Sequence, residues 1–174
     1  EALAGLVAHG EDAADHNLPL MYWYAAEPLA EADPERALAF ALSCGDTIPQ
    51  LRDFMLRRIG AMRTPESLAA LVEVLDKSHS DDEQQVILRS IRGALRGERR
   101  AEAPENWGDV YAKLTESSSD AVRTQAMALG VTFGDAAALQ AFRKIVASRD
   151  KSVESRRESL AALLAARDGQ LVPT

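Results

Sequence analysis

Histidine and cysteine, which often carry catalysis and metal binding, are scarce in this chain of 174 residues. The histidines are His9, His16 and His79, and none has a second histidine four residues away with which it could share a metal ion on one helix face. No HExxH motif is present. Cys44 is the single cysteine, which excludes an internal disulfide, a CxxC zinc site and a CxxCH haem attachment within these residues. P-loop, GxGxxG and GxSxG motifs are absent as well. We therefore expect no catalytic, cofactor-binding or metal site in this chain.

The segment "RSIRGALRGERR", residues 89–100, is the one basic concentration in an acidic chain. Arg89, Arg92, Arg96 and Arg99 follow at spacings of 3, 4 and 3, which predicts a single stripe on a helix. The stripe is interpreted either as a docking patch for an acidic partner or an anion, or as solvated cations that complement the end of a helix dipole. A net charge of −7 argues against nucleic acid, because phosphate contacts need clustered Lys and Arg.

A second distinctive segment, "HNLPLMYWYAAEPL", spans residues 16–29. It predicts a helix capped by Asn17, with Pro19 in its first turn, where a missing N–H is harmless. Pro28 should kink or end this helix. Because the helix is apolar nearly all round, the stripe that contains Met21 and Tyr24 is expected to form a core layer between neighbouring helices.

The same segment offers a functional interpretation. His16, Trp23 and Glu27 are predicted to form, with Asn17, a polar cluster near one end of the helix that contacts a partner protein or a flanking domain. The structural interpretation, an interior layer, remains the alternative.

Helical segments recur along the chain at a near-constant spacing. Arg123, Ala126 and Leu129 match Arg157, Leu160 and Leu163 at an offset of 34 residues, and similar segments begin at Arg57 and Arg89. No stretch shows the period-2 alternation of a sheet. The pattern predicts an all-α fold, a superhelix of about four helical pairs in one domain over residues 1–174. Equivalent core positions are expected at Leu71, Leu95, Leu129 and Leu163.

Helix boundaries and apolar stripes support this interpretation. Thr64 is a predicted N-cap, with Pro65 at the first helical position. The apolar stripes of three helices are expected to be buried, and they comprise Leu68, Leu71, Val72 and Leu75, then Trp107, Val110, Tyr111 and Leu114, then Leu139, Phe142 and Val146.

The segment "SSSDAVRTQAMALGVTFGD" resembles the second helix of a HEAT repeat, and the resemblance extends over residues 17–169. It implies an α-solenoid in which arginines bridge neighbouring repeats, so that Arg123 would meet Asp82 or Asp120, and Arg157 would meet Asp120 or Asp150. An armadillo-type arrangement stays open, because "PERALAFALSC" at residues 34–44 looks like an additional helix.

The segment at residues 16–29 also resembles the start of the helical region in multidomain proteins of planctomycetes and related bacteria. Those proteins combine a β-propeller similar to sugar dehydrogenases, a HEAT-like region and a C-terminal c-type cytochrome module. The resemblance implies a fragment of a larger, extracytoplasmic protein, with haem c outside this chain.

We expect a non-catalytic scaffold or protein-interaction module that binds a protein partner or flanking domains, and neither nucleic acid nor membrane. The alternatives are a structural part of a haem-containing dehydrogenase and a HEAT-like enzyme, such as a bilin lyase or a base-excision enzyme.

Overall fold

The computed structural model describes residues 2–98 and 101–171, and every regular element within these ranges is helical. The all-α class is therefore confirmed. The chain divides into two compact units, Glu1–Ala94 and Leu95–Thr174. The first unit contains α1 (Ala2–Leu6), a 3-10 turn (Gly10–Ala14), α2 (Leu18–Ala26), α3 (Pro28–Ala32), α4 (Pro34–Ser43), α5 (Pro49–Met62), α6 (Pro65–Lys77) and α7 (Asp81–Ala94). The second contains α8 (Trp107–Thr115), α9 (Asp120–Phe133), α10 (Ala136–Ala147) and α11 (Val153–Ala165).

Proline opens most helices of the first unit. The N–H groups in the first turn of a helix have no acceptor within the helix, so proline, which lacks an N–H, is tolerated there. Its fixed φ also favours the start of a helix. Pro34 begins α4, where the Asp33 carboxylate accepts a hydrogen bond from the backbone of Arg36. Thr64 caps α6 as predicted, in a reciprocal capping box with Ser67. The additional helix predicted near residues 34–44 is present as α4.

The core of the first unit is built around α5, which packs against α2, α4, α6 and α7. Leu51, Met55, Leu56 and Ile59 of α5 are completely buried. In α6, Leu71, Val72 and Leu75 are buried as predicted, and Leu68 is half-buried. Gly60 permits the close approach of α7, since a Cβ there would lie 3.2 Å from the Ala94 side chain and the Ser90 carbonyl.

The second unit buries the predicted stripe of α8, which consists of Trp107, Val110, Tyr111 and Leu114. The Trp107 ring meets Phe133 of α9 edge-on, with centroids 4.7 Å apart. The predicted α10 stripe of Leu139, Phe142 and Val146 is only half-buried. Leu129 and Leu163 are buried, as predicted.

The N-caps of α9 and α11 lie 33 residues apart, whereas the buried Leu129 and Leu163 keep the predicted offset of 34. Ser119 and Ser152 occupy the equivalent N-cap positions and accept the same capping hydrogen bond. Four residues after each cap, Arg123 and Arg156 donate to a backbone carbonyl near the end of the preceding helix. Arg157, the predicted equivalent of Arg123, is exposed.

The predicted pair of Arg123 with Asp120 is present, but both residues belong to α9, so the pair does not link two helices. Arg123 also donates to the carbonyl of Ser117. The Nε of Arg156 donates to the carbonyl of Val146 at 3.0 Å, which joins α11 to α10. Arg156 therefore joins α11 to the last turn of α10, where carbonyls have no partner within the helix, and Arg123 joins α9 to the connection that precedes it.

Candidate interaction surfaces

Asn17 occupies the N-cap position of α2 as predicted, but its side chain makes no capping hydrogen bond, and a carboxylate stabilises the start of the helix instead. Oδ1 of Asp15 accepts hydrogen bonds from the backbone N–H groups of Asn17 at 2.7 Å and Leu18 at 2.9 Å. These two bonds lower the pKa of Asp15, because they favour its ionised form. A negative charge at this position also complements the positive end of the helix dipole.

The 3-10 turn before α2 is attached to the unit by two further bonds. The Tyr22 hydroxyl donates to Oδ2 of Asp12 at 2.5 Å, which raises the pKa of the tyrosine. Nε2 of Gln50 on α5 donates to the carbonyl of Ala13 at 2.8 Å. Asp12 is thus held in place by a neutral hydroxyl donor.

Two of the predicted contact residues face α5 instead. The ring of Trp23 packs against Phe54, with centroids 5.7 Å apart, and is half-buried. Glu27 accepts a hydrogen bond from Nε of Arg58 at 3.2 Å, and the same guanidinium binds Glu31. The predicted interruption at proline is confirmed, because α2 ends at Ala26 and α3 starts at Pro28.

The predicted polar cluster is not formed at one end of α2. His16 lies before the helix and is exposed, whereas Glu27 lies directly after its last residue. The nine residues of α2, which lie between them, make a helix about 13 Å long at 1.5 Å per residue. Of the three residues proposed from the sequence, His16 is exposed, whereas Trp23 and Glu27 are half-buried and contact α5.

One face of α2 is apolar and exposed, contrary to the prediction of an interior layer on every side. Leu20 is 41% exposed, Met21 57% and Tyr24 59%. Their spacing places them on one side of the helix, and the exposed Ala25 and Pro28 extend the same side. The opposite side is buried, at Pro19, Tyr22 and Ala26. We call the exposed surface of Leu20, Met21 and Tyr24 the α2 face.

Carboxylates predominate in the segment that carries the α2 face. No lysine or arginine occurs before Arg36 in the sequence, whereas acidic residues recur throughout that stretch. Glu11, Asp12 and Asp15 lie in the turn that leads into α2. The cations come from α5, where Arg58 is paired with Glu27 and Glu31 and Arg52 is paired with Asp53, while Arg57 lies over the Phe54 ring at 6.0 Å.

The predicted arginine stripe does not form on one helix. α7 ends at Ala94, so Arg89 and Arg92 lie on its exposed surface and Arg96 lies in the turn that follows. Gly97 in that turn has a φ of 90°, which directs the chain away from helical geometry. Arg99 is outside the described residues. Leu95 lies in the same turn and is half-buried, so the prediction of full burial there is wrong.

A shallow groove of about 430 Å³ lies between α4 and α6. Ala39, Leu42, Ala70 and Val74 form its apolar floor. Its rim carries charges of both signs, and Lys77 on the rim pairs with Glu73 at 2.6 Å. The hydrogen bond from Lys77 to Glu73 raises the pKa of that lysine. Because the rim charges partly satisfy one another, the groove has no strong preference for an anion or a cation.

The second unit has its own exposed apolar positions on α11. Val153 is 62% exposed, Leu160 38% and Leu164 58%. Their spacing of 7 and 4 residues places them on one side of the helix, with Arg157 between them. This stripe therefore presents a cation at its centre, unlike the α2 face.

Cys44 is a buried structural thiol at the end of α4, as its sequence context favoured. Its Sγ donates to the carbonyl of Phe40 at 3.1 Å, and burial raises the pKa of the thiol. A buried thiol with a raised pKa is a weak nucleophile at neutral pH. Across residues 2–98 and 101–171, no group of three or more His, Cys, Asp and Glu side chains is arranged to hold a metal ion.

Comparison with known proteins returns no matching family model, no matching curated protein and no matching solved structure. Among the described helices, none combines the length and the apolar character needed to span a bilayer.

Proposed function

We propose that this chain is a protein-interaction module that acts without a catalytic centre of its own. In this proposal its helix pairs stack as a HEAT- or armadillo-like α-solenoid of about four pairs, and the α2 face is the docking surface. The packing of α5 against α7, and the matching serine N-caps of α9 and α11, support the proposed repeat architecture.

The observation that carries the functional proposal is the exposure of Met21 and Tyr24, at 57% and 59%. Large apolar side chains grouped on one side of a helix cost free energy in water and mark sites of association. Tyrosine and methionine are also enriched at protein interfaces, and the flexible methionine side chain adapts to the shape of a partner.

Photo-crosslinking tests this proposal. The tyrosine at position 24 is replaced by p-benzoylphenylalanine, and the chain is irradiated in an extract of the source organism. We expect a discrete adduct that excess wild-type chain abolishes and that excess chain with Met21→Ser and Tyr24→Ser leaves intact. The same probe at the exposed position of Thr124 on α9 is the control. Equal adducts from both positions, or equal competition by both chains, would contradict the proposal.

A further inference from the structure

We propose that the α2 face binds a basic amphipathic helix of another protein, with Leu- and Met-type side chains on one side and Lys or Arg along its edges. This inference rests on the proposed interaction function and names the chemistry of the partner at the same surface.

The shape of the α2 face favours a helix as its occupant. Leu20, Met21 and Tyr24 form a short ridge along about 13 Å of helix. A helix satisfies its own backbone hydrogen bonds, so it can bury an apolar stripe on this ridge without leaving donors unpaired. The described part of the first unit has no strand, and therefore offers no sheet edge to which an extended peptide could add.

The charges near the α2 face favour a basic partner. Asp12 and Asp15 lie in the turn before α2, and their hydrogen-bond donors are a tyrosine hydroxyl and backbone amides, which leave the negative charge in place. Glu11 in the same turn is exposed. At the other end of α2 the carboxylates of Glu27 and Glu31 share the one guanidinium of Arg58. A partner with flanking cations gains Coulomb attraction at both ends.

The same charges disfavour two other occupants of an apolar surface. A second copy of this chain would bring two acidic turns and two net charges of −7 together. An anionic membrane surface attracts basic segments, whereas the segment that carries the α2 face has no lysine or arginine before Arg36.

Fluorescence anisotropy of model helices tests the inference. The probes are fluorescein-labelled peptides of about four turns. One is a Leu/Lys peptide with helical amphipathic periodicity, the second has every Lys replaced by Glu, and the third is a scrambled Leu/Lys sequence with no stripe. Each is titrated with the wild-type chain, the Met21→Ser/Tyr24→Ser variant and the matched Leu160→Ser/Leu164→Ser variant. Circular dichroism establishes that both variants keep the wild-type helical content.

We expect the amphipathic Leu/Lys peptide to bind the wild-type chain and the α11 variant equally. The Met21→Ser/Tyr24→Ser variant should bind at least about tenfold more weakly, because burial of one large apolar side chain accounts for that much affinity. The Glu and scrambled peptides should bind weakly to all three chains, and added salt should reduce Leu/Lys binding.

Several results would overturn the inference. These are equal binding of the scrambled peptide, tighter binding of the Glu peptide, or no effect of the Met21→Ser/Tyr24→Ser variant. So would a dimer of the wild-type chain in sedimentation that this variant abolishes, or binding to vesicles of phosphatidylcholine and phosphatidylserine. If the crosslink at position 24 forms while the Leu/Lys peptide fails to bind, the interaction function stands and only the basic helix is wrong.

Discussion

Arg143 in α10 binds Asp168, just after α11, through two hydrogen bonds. Nε donates to Oδ2 at 2.6 Å and Nη2 donates to Oδ1 at 3.1 Å. The Asp168 side chain is only 4% exposed. Parallel hydrogen bonds between a guanidinium and a carboxylate are stronger and more directional than a single contact. The pair therefore fixes the end of α11 against α10.

The Arg143–Asp168 pair predicts a pH-dependent stability of the second unit. The arginine lowers the pKa of Asp168 below its ordinary value of 3.8. The resulting stabilisation is present above that value and is lost as the pH falls through the lower folded pKa, so that this contribution to wild-type stability should decline from about pH 4 downward. Asp168→Asn should lower the urea midpoint at neutral pH and flatten this decline.

Urea unfolding at a series of pH values measures the effect of Asp168→Asn. The matched control is Asp150→Asn, at an exposed position in the turn between α10 and α11. An Asp168→Asn variant with the wild-type pH profile would contradict the prediction.

Alanine substitutions at Leu129 in α9 and Leu160 in α11 test which leucines belong to the core of the second unit. Leu129 is 1% exposed, so Leu129→Ala should leave a cavity and lower the free energy of unfolding by about 2–5 kcal/mol. Leu160 is 38% exposed, and Leu160→Ala should cost less than about 1 kcal/mol. Denaturant titration followed by circular dichroism measures both. Similar decreases in the free energy of unfolding for the two variants would contradict the assignment of Leu129 to the core and of Leu160 to the surface.

The sequence predicted the helices and most of their buried stripes, because helical periodicity and capping chemistry are local. Thr64 and Pro65 define the start of α6, and the burial of Trp107, Val110 and Leu114 follows from their spacing. In α2, by contrast, apolar residues surround the helix, so periodicity does not distinguish the buried Tyr22 from the exposed neighbouring faces. That distinction depends on which helices pack nearby.

The site residues were harder to predict from the sequence than the helices. Regular arginine spacing suggested a longer helix, whereas the left-handed φ of Gly97 belongs to a turn in which the helix has already ended. Glu27 appeared available to a partner, but Arg58 lies 31 residues away in sequence and binds it. The chain before Arg36 has no lysine or arginine, and this composition signal could have drawn attention to the acidic character of the segment that carries the α2 face.

The capping of α2 gives a test with two neighbouring substitutions. Asp15→Ala should lower the melting temperature, because it removes the acceptor for the N–H groups of Asn17 and Leu18. Asn17→Ala should change it much less, since the Asn17 side chain makes no capping bond. Thermal unfolding by circular dichroism compares the two variants at neutral pH. A larger effect of Asn17→Ala would show that the Asn17 side chain, and not the Asp15 carboxylate, stabilises the start of α2.

Gly130 and Gly93 both lie within helices, but alanine should have opposite effects at the two positions. A Cβ at Gly130 would lie 2.7 Å from the Ala138 Cβ and 2.9 Å from the Tyr111 ring, so α9 would have to move. Gly130→Ala should therefore destabilise the second unit by about 1–3 kcal/mol through overpacking.

At Gly93 a Cβ meets nothing within 4 Å, and the backbone is already helical in α7. Gly93→Ala should stabilise the first unit by about 0.4–1 kcal/mol, because alanine has less conformational entropy to lose when it folds. Urea titration of the two variants beside the wild-type chain shows directly whether each substitution raises or lowers the free energy of unfolding. Stabilisation by Gly130→Ala would mean that Ala138 and Tyr111 yield easily, and that the glycine is not required for α10 to approach α9.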